Sequence, residues 1–207
     1  MHAIRVLVAM LLLTMISGCV GFAHELNLRN AERYAQSCRG WQGQHEWWKA
    51  RWNCSRAVVN ATLGRAPDNA IAALWYEYGR TSGAICDYKE AKRGLDEAPK
   101  LDERANGPAF ITLLELARLN YEQGQFQEAY VYYERAEKAL PMDRATREDA
   151  IGYAEMLEEY ALSANRLDNA AKGRMLLNRA KDLRQANTDK TFHTDRTPYG
   201  KFCDQKS

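Results

Sequence analysis

An all-α fold, a short solenoid of helical hairpins, follows from three observations on the 207-residue sequence. No alternating, β-branched run bounded by turn residues stands out, so strand signals are weak. Apolar residues instead recur every three to four positions, in stretches that prolines bound and do not interrupt. Pro67, Pro99, Pro108 and Pro141 fall where a pattern stops or starts, and Pro198 lies in the tail. Third, one spacing of small residues returns along the chain. Ala117, Ala129 and Ala136 are separated by 12 and 7 positions, and so are Gly79, Ala91 and Ala98, and Ala161, Gly173 and Ala180.

Residues 1–18 differ in kind from the rest. Met1, His2 and Arg5 make a short positive start, and Val6 to Ile16 is an apolar run of eleven. That run is too short to span a bilayer, which takes roughly 20 residues, and it fits the apolar core of a secretory signal. It ends in Ile16-Ser17-Gly18-Cys19. This resembles the bacterial lipobox, and the resemblance implies cleavage before Cys19 and a diacylglycerol on its thiol. An ordinary secretory signal with a chance cysteine is the plainer alternative. Two or three acyl chains anchor stably where one does not, so the resemblance implies a membrane-anchored, periplasm-facing chain. Residue 20 is Val, not the Asp that favours inner-membrane retention in enteric lipoproteins. The expected location is therefore the inner leaflet of the outer membrane.

The remaining elements read in order. Helices are predicted over 25–39, 45–63, 68–84, 87–98, 109–123, 126–140, 146–164 and 168–185. Gly40 and Gly43 interrupt the first of them, and Trp47, Trp48 and Trp52 give the second its character. In the fifth and sixth, Leu113, Leu116, Ala117 and Asn120 share a helix. Gly124 and Phe126 mark a turn, and Ala129, Tyr133 and Ala136 share the next helix. Beyond residue 187 the chain is polar and aperiodic, a C-terminal tail that docks, if at all, by Phe202 or Cys203.

The pattern over these two helices resembles the tetratricopeptide repeat (TPR), in which small residues let two helix backbones approach while large ones fill the space beside them. Its recurrence extends the resemblance. Leu95, Tyr133 and Leu177 stand four after the second small residue of each copy, and Trp75, Leu113 and Leu157 stand four before the first. The copies step by 38 (79 to 117) and 44 (117 to 161), against a usual unit of 34. The third copy departs most, with Gly173 in mid-helix, and reads as a capping unit. Cys38, Ala50, Cys54 and Ala57 give a weaker, damaged copy upstream. Residues 68–141 carry the clearest repeats within a helical domain of 19–186.

Lysine and arginine number 29 against 27 acidic residues, and residues 1–18 hold one Arg and no acid. No basic excess points to nucleic acid. Setting Cys19 aside leaves Cys38, Cys54, Cys86 and Cys203. The periplasm permits disulfides, and four thiols allow three pairings. If 25–39 and 68–84 are parallel first helices, Cys38 and Cys86 lie at matching ends, so Cys38–Cys86 is the expected bond, with Cys54 and Cys203 free or paired together. Free buried thiols, or a metal or redox site, are the alternatives. No CxxC pair suggests zinc.

Catalytic constellations are not evident. His2, His24, His45 and His193 are scattered without an HExxH pattern, there is no GxSxG and no phosphate-cradling loop, and adjacent Glu158 and Glu159 do not face each other. The expectation is no enzyme, no cofactor and no metal. Two surfaces are candidates for a partner. In TPR-like stacks the inner curve is lined by first helices, which implies Tyr76 and Arg80 in one repeat and Leu114, Arg118 and Tyr121 in the next. The two arginines occupy equivalent places and could clamp a carboxylate or an extended peptide; two ordinary exposed arginines would read the same. The other is Trp48 and Trp52 on one helix face, a partner surface or an apolar seal on the stack. The resemblance implies a scaffold that binds a protein partner and helps a pilus, secretion or outer-membrane machine assemble. The alternatives are a regulator docking on a periplasmic cell-wall enzyme, or a small-ligand or redox protein using the cysteines.

Overall fold

The computed structural model describes residues 2–105, 109–140, 150–188 and 196–205, with side chains from residue 22 onward. Pro108, Pro141, His193, the helix start expected over 146–149 and the thiol of Cys19 lie outside that description. Eight helices and no strand occupy the described residues: α1 (His2–Gly43), α2 (Trp47–Leu63), α3 (Asp68–Ala84), α4 (Tyr88–Arg104), α5 (Phe110–Glu122), α6 (Phe126–Ala139), α7 (Ala150–Arg166) and α8 (Ala170–Ala186). They pair as four antiparallel hairpins, α1/α2 to α7/α8. Successive hairpins meet where α2 packs on α3, α4 on α5 and α6 on α7, which is the neighbour-only connectivity of a solenoid. Among the described residues no helix is long and apolar enough to cross a membrane.

One turn, used four times, sets the register. His45, Cys86, Gly124 and Asp168 each take a left-handed backbone, with φ between 56° and 73°. The next residue donates its N–H to a carbonyl five positions back: Glu46 to Trp41, Asp87 to Ser82, Gln125 to Asn120 and Asn169 to Ala164, at 2.9–3.0 Å. This closes a helix with a left-handed residue just past its end. Glycine carries that conformation at no steric cost and Asp tolerates it, so "NRLDN" turns the fourth hairpin without a Gly. The turn positions step by 41, 38 and 44 (45 to 86, 86 to 124, 124 to 168), as do Cys38, Gly79, Ala117 and Ala161. The upstream copy is therefore a complete hairpin, and the stack has four.

Small residues do what the spacing implied. Ala91, Ala98, Ala117, Ala129, Ala136 and Ala161 are fully buried. At the α3/α4 crossing the backbones nearly touch, since a Cβ on Gly94 would lie 2.8 Å from the Cα of Gly79. Large residues then bridge to the next hairpin: Leu95 joins Leu116 and Leu119, and Tyr133 stacks on Tyr160 at 5.8 Å.

Three expectations are corrected. Helix α1 runs through Gly40 to Gly43; Gly40 faces open space, where glycine costs about 1 kcal/mol without breaking a helix. Helix α4 continues past Pro99 to Arg104, because Ala98 and Leu101 on either side of the proline are buried and hold the backbone helical. Leu177 is 43% exposed, and Leu176 is the buried residue instead. The place of Leu95 and Tyr133 packs against the following hairpin. No described helix follows α8, so Leu177 is left in solvent.

Candidate functional site: the inner wall and the segment that covers it

The first helices α3, α5 and α7 present acids at one repeat position. Glu77, Glu115 and Glu159 are separated by 38 and 44, the steps of the repeat itself. Arg80 and Arg118 follow three residues after the first two, one helical turn on. The result is a line of alternating charge across three hairpins. Arg80 pairs with Glu77, Arg118 with Glu115 at 2.7 Å, and Arg118 also grips Glu159 with two N–H groups at 2.8 and 3.1 Å. The Tyr133 hydroxyl adds a bond to Glu159 at 3.3 Å.

Residues 196–205 lie across this wall, running from the fourth hairpin back to the first. Arg196 pairs with Glu159 at 3.0 Å. Thr197 accepts from Arg80 Nε at 2.6 Å and donates to Glu115 at 2.8 Å, and the Tyr199 hydroxyl donates to the same Glu115 oxygen at 2.6 Å. The Gly200 and Phe202 amides donate to the carbonyls of Gly83 and Ala84, which end α3. Cys203 is bonded to Cys86, and Gln205 bridges the Trp47 amide and the His45 carbonyl in the first turn. The strap thus touches all four hairpins. Its fit depends on Gly83: the Tyr199 ring lies where a side chain would start, 2.4 Å from a Cβ built there.

Glu115 is the centre of this arrangement. Burial pushes its carboxyl up, but the Arg118 and Arg80 guanidiniums and the bonds from Tyr199 and Thr197 outweigh that, so it is held below the usual range. Burial first, then the Glu115 charge, raises the phenols of both Tyr199 and Tyr76. Tyr199 therefore stays a hydrogen-bond donor across the physiological range.

The structure brings Tyr76, Arg80 and Arg118 into one buried network, with the Arg80 guanidinium 5.4 Å from the Tyr76 ring. Both arginines carry partners: their side chains are 14% and 12% exposed. Tyr121 stands beside Arg118 in a pocket of about 190 Å³ between α5, α7 and the strap, and Leu114, partly buried, packs against the core of the third and fourth hairpins. The acids of the wall escaped the sequence reading, although Glu77, Glu115 and Glu159 stand in register with the small residues that defined it. Trp48 and Trp52 part company. Trp48 seals the strap's end with Trp47, Ile85 and Phe202, while Trp52 is exposed between Tyr34 and Arg56.

The expected Cys38–Cys86 bond is corrected. Cys38 pairs with Cys54, and Cys86 with Cys203. Cys38 and Cys54 lie eight residues either side of residue 46, so the first hairpin's own turn sets them face to face across α1 and α2. Among the described residues no group of His, Cys, Asp and Glu could hold a metal.

No protein-family model and no curated protein matches the chain. Solved structures do. The crystal structure of BtubC (BKLC) from P. vanneervenii superimposes with a TM-score of 0.69 at 16% identity, covering 80% of this chain and 67% of that one. The TPR-like repeats of a putative kinesin light chain from P. anserina give 0.58 at 18% identity, covering 84% and 91%. At such identity the likeness concerns the fold, and it establishes a TPR-like all-α solenoid.

Proposed function

We propose that the chain is a protein–protein interaction scaffold of the bacterial cell envelope, anchored by lipid at Cys19 in the inner leaflet of the outer membrane and facing the periplasm. It binds a protein partner, makes and breaks no bond in its substrate, and helps a pilus, secretion or outer-membrane machine assemble. One observation carries the binding role. The inner wall holds a turn-rich polypeptide segment, residues 196–205, through side-chain bonds to half-buried Arg80 and buried Glu115. Such a wall has the chemistry for a peptide: fixed charge for hydroxyls and a notch for a ring. The anchor rests on Ile16-Ser17-Gly18-Cys19 after an apolar run.

The test is photo-crosslinking in cells, with the crosslinker at Tyr121 beside the strap or at Trp52 on the outer face. Capture of one protein from Tyr121 is expected. No specific adduct from either position would contradict a scaffold. Palmitate labelling that persists in Cys19→Ser would contradict the anchor.

A further inference from the structure

Each other candidate has an occupant or none that can be named. The apolar groove of about 330 Å³ lined by Val58, Val59, Leu63 and Trp75 carries no polar group that would name its ligand, and Cys38–Cys54 is sealed in the first hairpin. The strap differs, because the structure holds both the receptor and a ligand.

Four features of the strap are read by the wall. Thr197 is gripped from both sides, by Arg80 and Glu115. Tyr199 is read at both ends, its ring by the Gly83 notch and its hydroxyl by Glu115. Gly200 has φ +71°, and a Cβ there would stand 2.9 Å from the Tyr88 hydroxyl. Pro198 lies between, where no amide donor is asked for. The wall thus selects a hydroxyl residue, any residue, tyrosine and glycine, with the chain turning at Tyr199-Gly200. The atoms that select belong to helices fixed by packing elsewhere, so the site persists when the ligand changes.

The bond that closes the strap is also unlike the other. Cys38 and Cys54 are each 1% exposed, whereas Cys203 is exposed and Cys86 half-buried. Disulfide exchange needs access of a thiolate to sulfur, so a dithiol reaches Cys86–Cys203 and not Cys38–Cys54.

We propose that the inner wall is a receptor for a Thr/Ser-x-Tyr-Gly segment, that residues 196–205 fill it in cis, and that a dithiol opens Cys86–Cys203 to hand the wall to a partner protein carrying a segment of the same chemistry. This names the ligand class of the scaffold proposed above and rests on that reading. In the step, one thiolate of the dithiol attacks the sulfur of exposed Cys203 and Cys86 leaves as thiolate. The second thiol then resolves the mixed disulfide. The dithiol ends as a disulfide, two electrons pass to the cysteines, and both finish as thiols. While the bond is closed the strap cannot leave. Once open, it competes only as a tethered ligand, at an effective concentration on the order of millimolar.

The test uses a fluorescent peptide of residues 195–202, DRTPYGKF, read by anisotropy against three forms of the full chain. These are the oxidised wild type, Cys86→Ser with Cys203→Ser, and that pair combined with Thr197→Ala and Tyr199→Ala, which weakens only the cis ligand. Binding is expected to be undetectable in the first, measurable in the second, and about tenfold tighter again in the third. Replacing the peptide's tyrosine by phenylalanine should cost at least about tenfold, the hydrogen bond to a buried carboxylate being lost. Equal binding, or none, in all three forms overturns the proposal. Amide exchange on the wild type stands independently of any variant. With dithiothreitol, Gly200 and Phe202 should exchange faster while α5 and α7 stay protected. Unchanged protection at Gly200 and Phe202, or loss of protection in every helix, would show a structural strap and sink the latch. Failure here, with a partner still captured at Tyr121 in cells, leaves the scaffold reading standing.

Discussion

The Tyr199 hydroxyl stands 2.6 Å from Oε2 of Glu115, 84 residues earlier in the chain. That bond ties a C-terminal segment to the most buried charge of the inner wall. Glu115 answers to two arginines and two hydroxyls at once, so it joins the strap, the third hairpin and, through Arg118, the fourth. Replacing Glu115 by Gln leaves Arg80 and Arg118 short of a buried counter-charge. Breaking a buried pair in this way costs about 3–5 kcal/mol. Urea unfolding of Glu115→Gln should show a loss of that size, and a change under about 1 kcal/mol, the range of exposed pairs, would mean that the wall is solvated.

Acid should remove the stability that the Glu115 charge contributes. The Glu115 carboxyl is held below its ordinary value of 4.5, so it contributes stability above that pH and loses it as pH falls toward its lowered folded value. The melting temperature should therefore drop below pH 4.5, and the drop should be shallower in Glu115→Gln. Parallel acid limbs in the two proteins would move the linkage to another carboxylate.

Gly83 tests the fit of the strap without touching charge. An added methyl meets the Tyr199 ring at 2.4 Å, in a helix where alanine is otherwise the better residue. Gly83→Ala should destabilise by about 1–3 kcal/mol and speed amide exchange at Gly200 and Phe202. A gain in stability, the ordinary effect of alanine in a helix, would mean that Tyr199 does not rest there.

Packing between hairpin partners gives a separate prediction. Ala129 is fully buried in one core cluster with Ala117, and Ala129→Leu should destabilise by about 1–3 kcal/mol through overpacking. An unchanged melting temperature would put Ala129 on another face.

These positions also show what was legible in the sequence. Ala117, Ala129 and Gly79 announced the hairpins because close helix approach demands small residues at fixed spacing, and that spacing is local. Apart from the ends expected at Gly40 and Pro99, helix starts and stops followed from turns that are local too. Pro99 misled because a proline's local cost, about 3 kcal/mol, was overridden by burial of Leu101 against another hairpin. Leu177 misled because its place has a role only when another hairpin follows. The strap was the least legible element. Polar and aperiodic, residues 196–205 carry no helical period, and their partners lie at separations of 37 to 160 residues. Arg80 and Arg118 were visible as a repeated pair, yet they read as open to a partner because nothing local shows that Thr197 and Tyr199 return to cover them. The acids at Glu77, Glu115 and Glu159 held that signal: a carboxylate repeated beside packing positions marks a wall with a polar occupant.

The cysteine connectivity tests the account most directly, since it reports whether the C-terminal segment crosses the wall. Non-reducing peptide mapping of the oxidised chain should join Cys86 to Cys203 and Cys38 to Cys54. The first bond closes a span of 117 residues and the second a span of 16, and a map that joined Cys38 to Cys86 and left Cys203 free would detach the strap and contradict the self-occupied wall.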